Sequence, residues 1–172
     1  MTPRDRDRDR DQAGRPRNAR PRDALGRPLA HGATGESRIP DDLSLSPGEA
    51  IALAQRLLDS GRPFQAHEVL EASWKSAPAA ERDLWQGLAQ VAVGLTHAQR
   101  GNARGAAALL RRGAARVSGH LPGGDDDAGG RHGIDVAGIT RAAGELADRI
   151  ERDGLDGMTP GDLRLRLRDA AG

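Results

Sequence analysis

The chain has 172 residues, 37% of them hydrophobic, and 26 Lys and Arg against 25 Asp and Glu leave a formal net charge of +1. That length suits one ordinary domain rather than two, and the near balance of charge excludes a strong overall attraction to nucleic acid or anionic membrane. There is no cysteine, which excludes disulfides, thiolate zinc sites and cysteine nucleophiles.

Two further absences bear on location. No run approaches the ~20 apolar residues of a membrane span, and the first residues lack the apolar core of a signal peptide. The expectation is a cytoplasmic protein that makes no membrane contact.

Residues 1–42 are expected to form a disordered arm. Arg4 to Asp11 alternates Arg and Asp, and Pro16, Pro21 and Pro28 follow among further arginines. Such a segment buries too little apolar surface to offset the entropy of ordering it. Residues 1–30 hold nine Arg against five Asp, a surplus of four positive charges. An arm of this kind can touch nucleic acid, but the aspartates weaken its field, so a solvated tail is the favoured reading.

The helical domain is expected over 43–155, with a short extension over 156–172. Ser46-Pro47-Gly48-Glu49 reads as a capping box with proline at the first helical position. Ile51, Leu53, Ala54, Leu57 and Leu58 continue as an apolar stripe at helical spacing, and Gly61 closes the helix. Pro63 opens a second helix, roughly 63–76, whose apolar face is read as Phe64, Leu70 and Trp74.

A third helix, about 80–100, carries Leu84, Leu88, Val91, Leu95 and Ala98 on one seam. Trp85, Ala89, Ala92 and Thr96 form a second seam, so this helix should be central. Gly101 ends it, and Asn102 caps a fourth helix, about 103–118. In that helix Gly105, Ala106 and Ala107 would let a neighbour approach closely.

A Gly- and Asp-rich loop containing Asp125, Asp126 and Asp127 leads to a fifth helix, about 135–152. Thr159-Pro160 opens a last short element. From Leu163 to Arg168 leucine and arginine alternate, the period of an extended chain. The fold class is all-α: a compact bundle of about five helices built from helical hairpins.

The chemistry concentrates on the second helix. At 100° per residue, His67, Leu70, Glu71 and Trp74 lie with Phe64 inside one arc of about 120°, and Glu68 sits at its edge. Ionisable groups inside an apolar stripe need partners. The third helix offers Gln86, Gln90 and His97 on the strip between its two seams.

Two readings stand. In one, His67, Glu71 and His97 hold a divalent metal, Zn²⁺ or Fe²⁺, and Glu68 is the general base on a bound water. In the other, these groups form a metal-free polar network supported by Trp74, Gln86 and Gln90. The zincin pattern needs a second histidine where Glu71 stands. A second constellation, Arg100, Asn102 and Arg104 at a helix start, suits a phosphate or carboxylate, although an ordinary Gly/Asn helix junction with solvated arginines is the favoured reading.

These blocks carry a resemblance. Gly61 to Glu71 with Trp74, then Trp85 to Gln90, His97, Arg100-Gly101-Asn102 and Gly105-Ala106, resemble the family called domain of unknown function 309 over about 48–118. The resemblance implies a compact all-helical fold. Through the family's loose label of predicted metal-dependent hydrolase it also implies a polar motif at His67, Glu68 and Glu71 and a second block at His97, Arg100 and Asn102. Whether the chain is an enzyme stays open: a helical binding or scaffold protein is slightly favoured, with a metal-dependent hydrolase as the alternative.

Overall fold

The first helix begins where the sequence puts its cap. In the computed structural model, which describes residues 20–37, 39–40, 43–121 and 131–168, the Ser46 hydroxyl accepts from the Glu49 amide at 3.4 Å. The Glu49 carboxylate accepts in return from the Ser46 amide at 2.8 Å and from its hydroxyl at 2.6 Å. These bonds hold the Glu49 carboxyl below the usual range. Helix α1 runs Pro47–Asp59 and ends at Gly61, whose φ of +71° favours glycine. There the amides of Gly61 and Arg62 close on the carbonyls of Leu58 and Leu57.

Four more helices follow among the described residues: α2 (Pro63–Ser76), α3 (Arg82–Gln99), α4 (Ala103–Ser118) and α5 (Val136–Asp153). One-turn 3₁₀ segments stand at Ala79–Glu81, Arg131–Gly133 and Pro160–Leu163. Each helix packs on the next in chain order. Helix α3 is the central one. From Leu84 to Ala98 every residue is buried except Gln86, Gln90, Val93 and His97.

Glycine sets the α3–α4 contact. A Cβ on Gly87 would stand 3.0 Å from the Gly113 carbonyl oxygen, and one on Gly94 would stand 3.2 Å from that of Ala106. A Cβ on Gly113 would stand 2.8 Å from the Gly87 oxygen and 2.9 Å from the Val91 amide nitrogen. The two backbones touch along the crossing, and no side chain fits between them.

Helix α5 starts at Asp135, whose carboxylate accepts from the Gly138 amide at 2.8 Å. It buries Val136, Ile139, Ala143, Leu146, Ala147 and Ile150. The alternating segment after it is extended, as its period predicts. Leu165 and Leu167 are buried in the same core, while Arg164 and Arg166 are exposed. Ile134 and Arg168 form an isolated antiparallel bridge.

The face expected of α2 requires correction. Its buried residues are Pro63, Gln65, Ala66, Val69 and Leu70, whereas Phe64 and Trp74 are only half-buried. The helix is packed between α1 and α3, and the small Ala66 and Val69 permit that approach better than two large rings would.

Of the expected arm, residues 1–19, 38, 41 and 42 lie outside the described residues, as do Asp125, Asp126 and Asp127. Residues 20–37 belong to a small unit of their own. Within it Arg22 and Pro28 form a bridge, and the Asp23 carboxylate accepts from the amides of Leu25 and Arg27.

Gly113→Ala should destabilise the fold by about 1–3 kcal/mol, because its new methyl meets backbone that cannot step aside. A lower urea midpoint with unchanged slope is the expected result; an unchanged midpoint would mean that α3 and α4 stand further apart.

Candidate functional site

Helix geometry divides α2 into two sides. At about 100° per residue, Ala66, Val69 and Leu70 point into the bundle, and Trp74, His67, Glu71 and Phe64 follow on the adjoining flank, next to Leu70. All four are half-buried, as is Glu68 beside them. On α3, Gln86, Gln90, Val93, His97 and Arg100 recur at helical spacing and are the half-buried residues of its open strip. Flank and strip meet at one end, where the Arg100 guanidinium lies 6.0 Å from the centre of the Phe64 ring, within cation–π range.

His67 stands on this flank with its Nε2 3.5 Å from a Glu71 carboxylate oxygen. The other oxygen of Glu71 is 2.8 Å from the Lys75 ammonium. The Phe64 and His67 rings are 6.0 Å apart and tilted by 43°. Burial pushes the imidazole below its ordinary value; Glu71 opposes that shift and Lys75 adds to it. The Nδ1 atom is buried and has no hydrogen-bond partner, and the same holds for Gln90 Oε1.

His97 does different work. Asn102 caps α4 by accepting from the Gly105 amide through Oδ1 at 2.9 Å. That fixes the side-chain amide, so its Nδ2 donates to His97 Nδ1 at 2.8 Å. The ring therefore carries its proton on Nε2. Burial, then the neighbouring Arg100, pushes this histidine below its ordinary value too. A Cβ on Gly105 would stand 2.5 Å from Asn102 Nδ2 and 2.6 Å from His97 Nδ1. Gly105 leaves room for this contact, a role beyond the helix spacing that its small size suggests.

The chain between the two helices completes the corner. Gly101 turns at φ +77°, and the Asn102 amide bonds the His97 carbonyl at 2.9 Å. Of the three residues expected at an anion site, Asn102 is the cap, Arg100 faces Phe64, and Arg104 is exposed. Trp74 packs half-buried against the core, and Gln86 is half-buried on the strip.

The family label implies a metal, and the donor set can be tested against one. A metal on His97 Nε2 needs the ring proton on Nδ1, where it would face the amide protons of Asn102. Among the described residues no three His, Cys, Asp or Glu side chains are grouped to hold a metal ion. As these side chains stand, they do not fit the implied ion.

Sequence reasoning missed a second acid–histidine pair. His132 Nε2 lies 2.9 Å from Glu81 Oε2, and the same oxygen accepts from Trp85 Nε1 at 3.3 Å. The His132 ring packs 6.1 Å from that of Trp85, on a backbone turned to φ +62°. A buried tryptophan needs an acceptor, and Glu81 one turn before it was the visible candidate. Nothing in the sequence pointed to His132, 51 residues away.

Residues 51–109 match the model of a family described as domain of unknown function (DUF309). Over that stretch, about a third of the chain, the sequence is similar to the DUF309 family. The stretch runs from within α1 into α4 and so contains both histidines and the corner. No curated protein and no solved structure matches the chain. The DUF309 stretch leaves out α5 and the extended segment, which complete the core.

The two depressed histidines set a pH dependence. Each binds a proton more readily in the unfolded chain than in the folded one, so their contribution to stability is full above the ordinary imidazole value of about 6.5 and shrinks as pH falls below it. Urea unfolding should show lower stability at pH 5.5 than at 7.5, and the double change His67→Gln, His97→Gln should flatten that slope. An equal slope in the variant would assign the effect elsewhere.

Truncation should also separate the two sides of α2. Leu70→Ala should cost about 2–5 kcal/mol as a core deletion, and Phe64→Ala less than about 1 kcal/mol. Equal losses would place Phe64 in the core after all.

Proposed function

We propose that the chain is a non-enzymatic helical binding protein, and that the groove between the outer flank of α2 and the open strip of α3 is its contact surface. One observation carries this reading. Two of the protein's three aromatic residues, Phe64 and Trp74, stand half-buried on the flank that adjoins the core face of α2, Trp74 resting partly on the core, with Arg100 against Phe64. Trp and Arg near the centre of a partly apolar surface are the residues that dominate binding energy at interfaces. In this reading His67, Glu71 and Lys75 stiffen the flank, and Asn102 and His97 fix the corner at its end.

The reading includes a cytoplasmic location and needs no nucleic-acid contact by residues 1–42. What supports the absence of a membrane role is that no helix among the described residues is long and apolar enough to cross one. The alternative, a metal-dependent hydrolase with Glu68 as base, is favoured by one feature: the buried Nδ1 of His67 has no partner, as a metal-binding nitrogen would before loading.

Two measurements test the choice. Protein purified without a histidine tag and supplemented with zinc and iron should retain no stoichiometric metal. Retention that disappears in His67→Ala and His97→Ala would reverse the reading in favour of the hydrolase. Polypeptides captured by the wild-type chain should be lost from the Phe64→Ala, Arg100→Ala variant. The same captured set with both proteins would remove the groove as the contact surface.

A further inference from the structure

The extended segment after α5 is held in an unusual way. The side-chain amide of Gln55, on α1, faces its backbone with both polar atoms. Gln55 Oε1 accepts from the Leu167 amide at 2.6 Å, and Nε2 donates to the Leu165 carbonyl at 3.3 Å. The same Nε2 donates to Asp59 Oδ1 at 2.9 Å, which orients it. On the other side the Asp135 amide donates to the Leu167 carbonyl at 2.9 Å.

A primary amide that takes the carbonyl of one residue and the N–H of the second one along copies the edge of a neighbouring strand. It reads an extended backbone without reading its sequence. Sequence enters at alternate positions. Leu165 and Leu167 are 3% and 1% exposed, while Arg164 and Arg166 between them face out. Main-chain bonds for affinity and pockets for alternate side chains for specificity are the two parts of strand-addition recognition.

We infer that the cleft between α1 and the start of α5 is a recognition groove for an extended Leu-x-Leu segment, filled in this chain by its own residues 165–167 as a releasable strap. The partner it fits is a strand of the same pattern from another polypeptide. This stands apart from the α2–α3 surface; Gln55 lies within residues 51–109, and Leu165, Leu167 and Asp135 lie outside them. The segment is held by Gln55, the Asp135 amide, the Ile134–Arg168 bridge and its two buried leucines, so its release exposes two side chains and costs less than opening the whole bundle.

Hydrogen exchange on the full chain tests the release. Gln55→Ala should speed exchange of the Leu167 and Asp135 amides by about tenfold or more, the effect of losing the Gln55 hydrogen bonds to Leu165 and Leu167, with the α3 amides of Leu88 and Val91 unchanged. If those two amides exchange only as fast as the α3 amides in both proteins, the segment opens only with the whole fold and the inference falls.

Recognition is tested with the full-length double variant Leu165→Ala, Leu167→Ala, which empties the pockets. It should keep its helical circular dichroism and bind a synthetic hexapeptide with the sequence of residues 163–168. An equally charged peptide with alanine at its second and third leucines should not bind. A folded variant that binds neither peptide or both alike overturns the proposal. So does a variant that fails to fold, because the leucines are then core and not a strap.

Discussion

The closeness of α3 to α4 governs the architecture. Gly87, Gly94 and Gly113 bring the two backbones together, and the helices are joined by a corner only three residues long, Arg100 to Asn102. A helix so tightly backed by one neighbour, and covered by α2 on another side, keeps solvent access along a single strip. That strip holds Gln86, Gln90 and His97, with Val93 among them, and polar side chains tolerate the half-exposure that remains. The groove follows from the crossing, and a wider crossing would have left α3 open on more than one side.

The residues that carry the DUF309 resemblance divide into two physical jobs. His97, Asn102 and Gly105 interlock at the corner: the cap fixes the amide, the amide fixes the ring, and the missing Cβ leaves room for both. Gly101 supplies the turn. This block has a complete structural account with no ligand in it. His67 and Glu71 have no such account. Glu71 pairs closely with Lys75, and a pair at that spacing near the surface contributes little to stability.

Helix starts and stops were legible in the sequence because each is a local event. Ser46, Gly61, Pro63, Gly101 and Asn102 act on their own backbone neighbours, so the sequence alone fixes their effect. The alternation of Leu163 to Arg168 was legible for the same reason. The orientation of α2 was not. Its period was correct, but large residues outweighed small ones in choosing the face, and a helix between two neighbours turns its small residues inward. The pairing of Glu81 with His132 and the hold of Gln55 on Leu165 and Leu167 join residues 51 and about 110 positions apart, and no local pattern announces such contacts. The approach of α2 and α3, where Arg100 meets Phe64, could be read from an antiparallel hairpin. The turning of His97 toward Asn102 depended on Gly105, whose role is invisible until the corner is built.

The state of His67 says what a partner over this groove should bring. Burial favours the neutral ring, and the Glu71 carboxylate beside Nε2 draws the one remaining proton to that nitrogen. Nδ1 then presents a lone pair, buried and unanswered. An unsatisfied buried acceptor costs about 1–3 kcal/mol, and the free chain carries that cost. A surface that closes over Phe64 and Trp74 while supplying an N–H or O–H to Nδ1 would gain apolar burial and recover the missing bond together. One that offered a second acceptor would have to protonate the ring first, against the burial that keeps it neutral. On the proposed binding reading, the flank would select by hydrogen-bond polarity as well as by shape, less so at acid pH, where His67 gains its second proton.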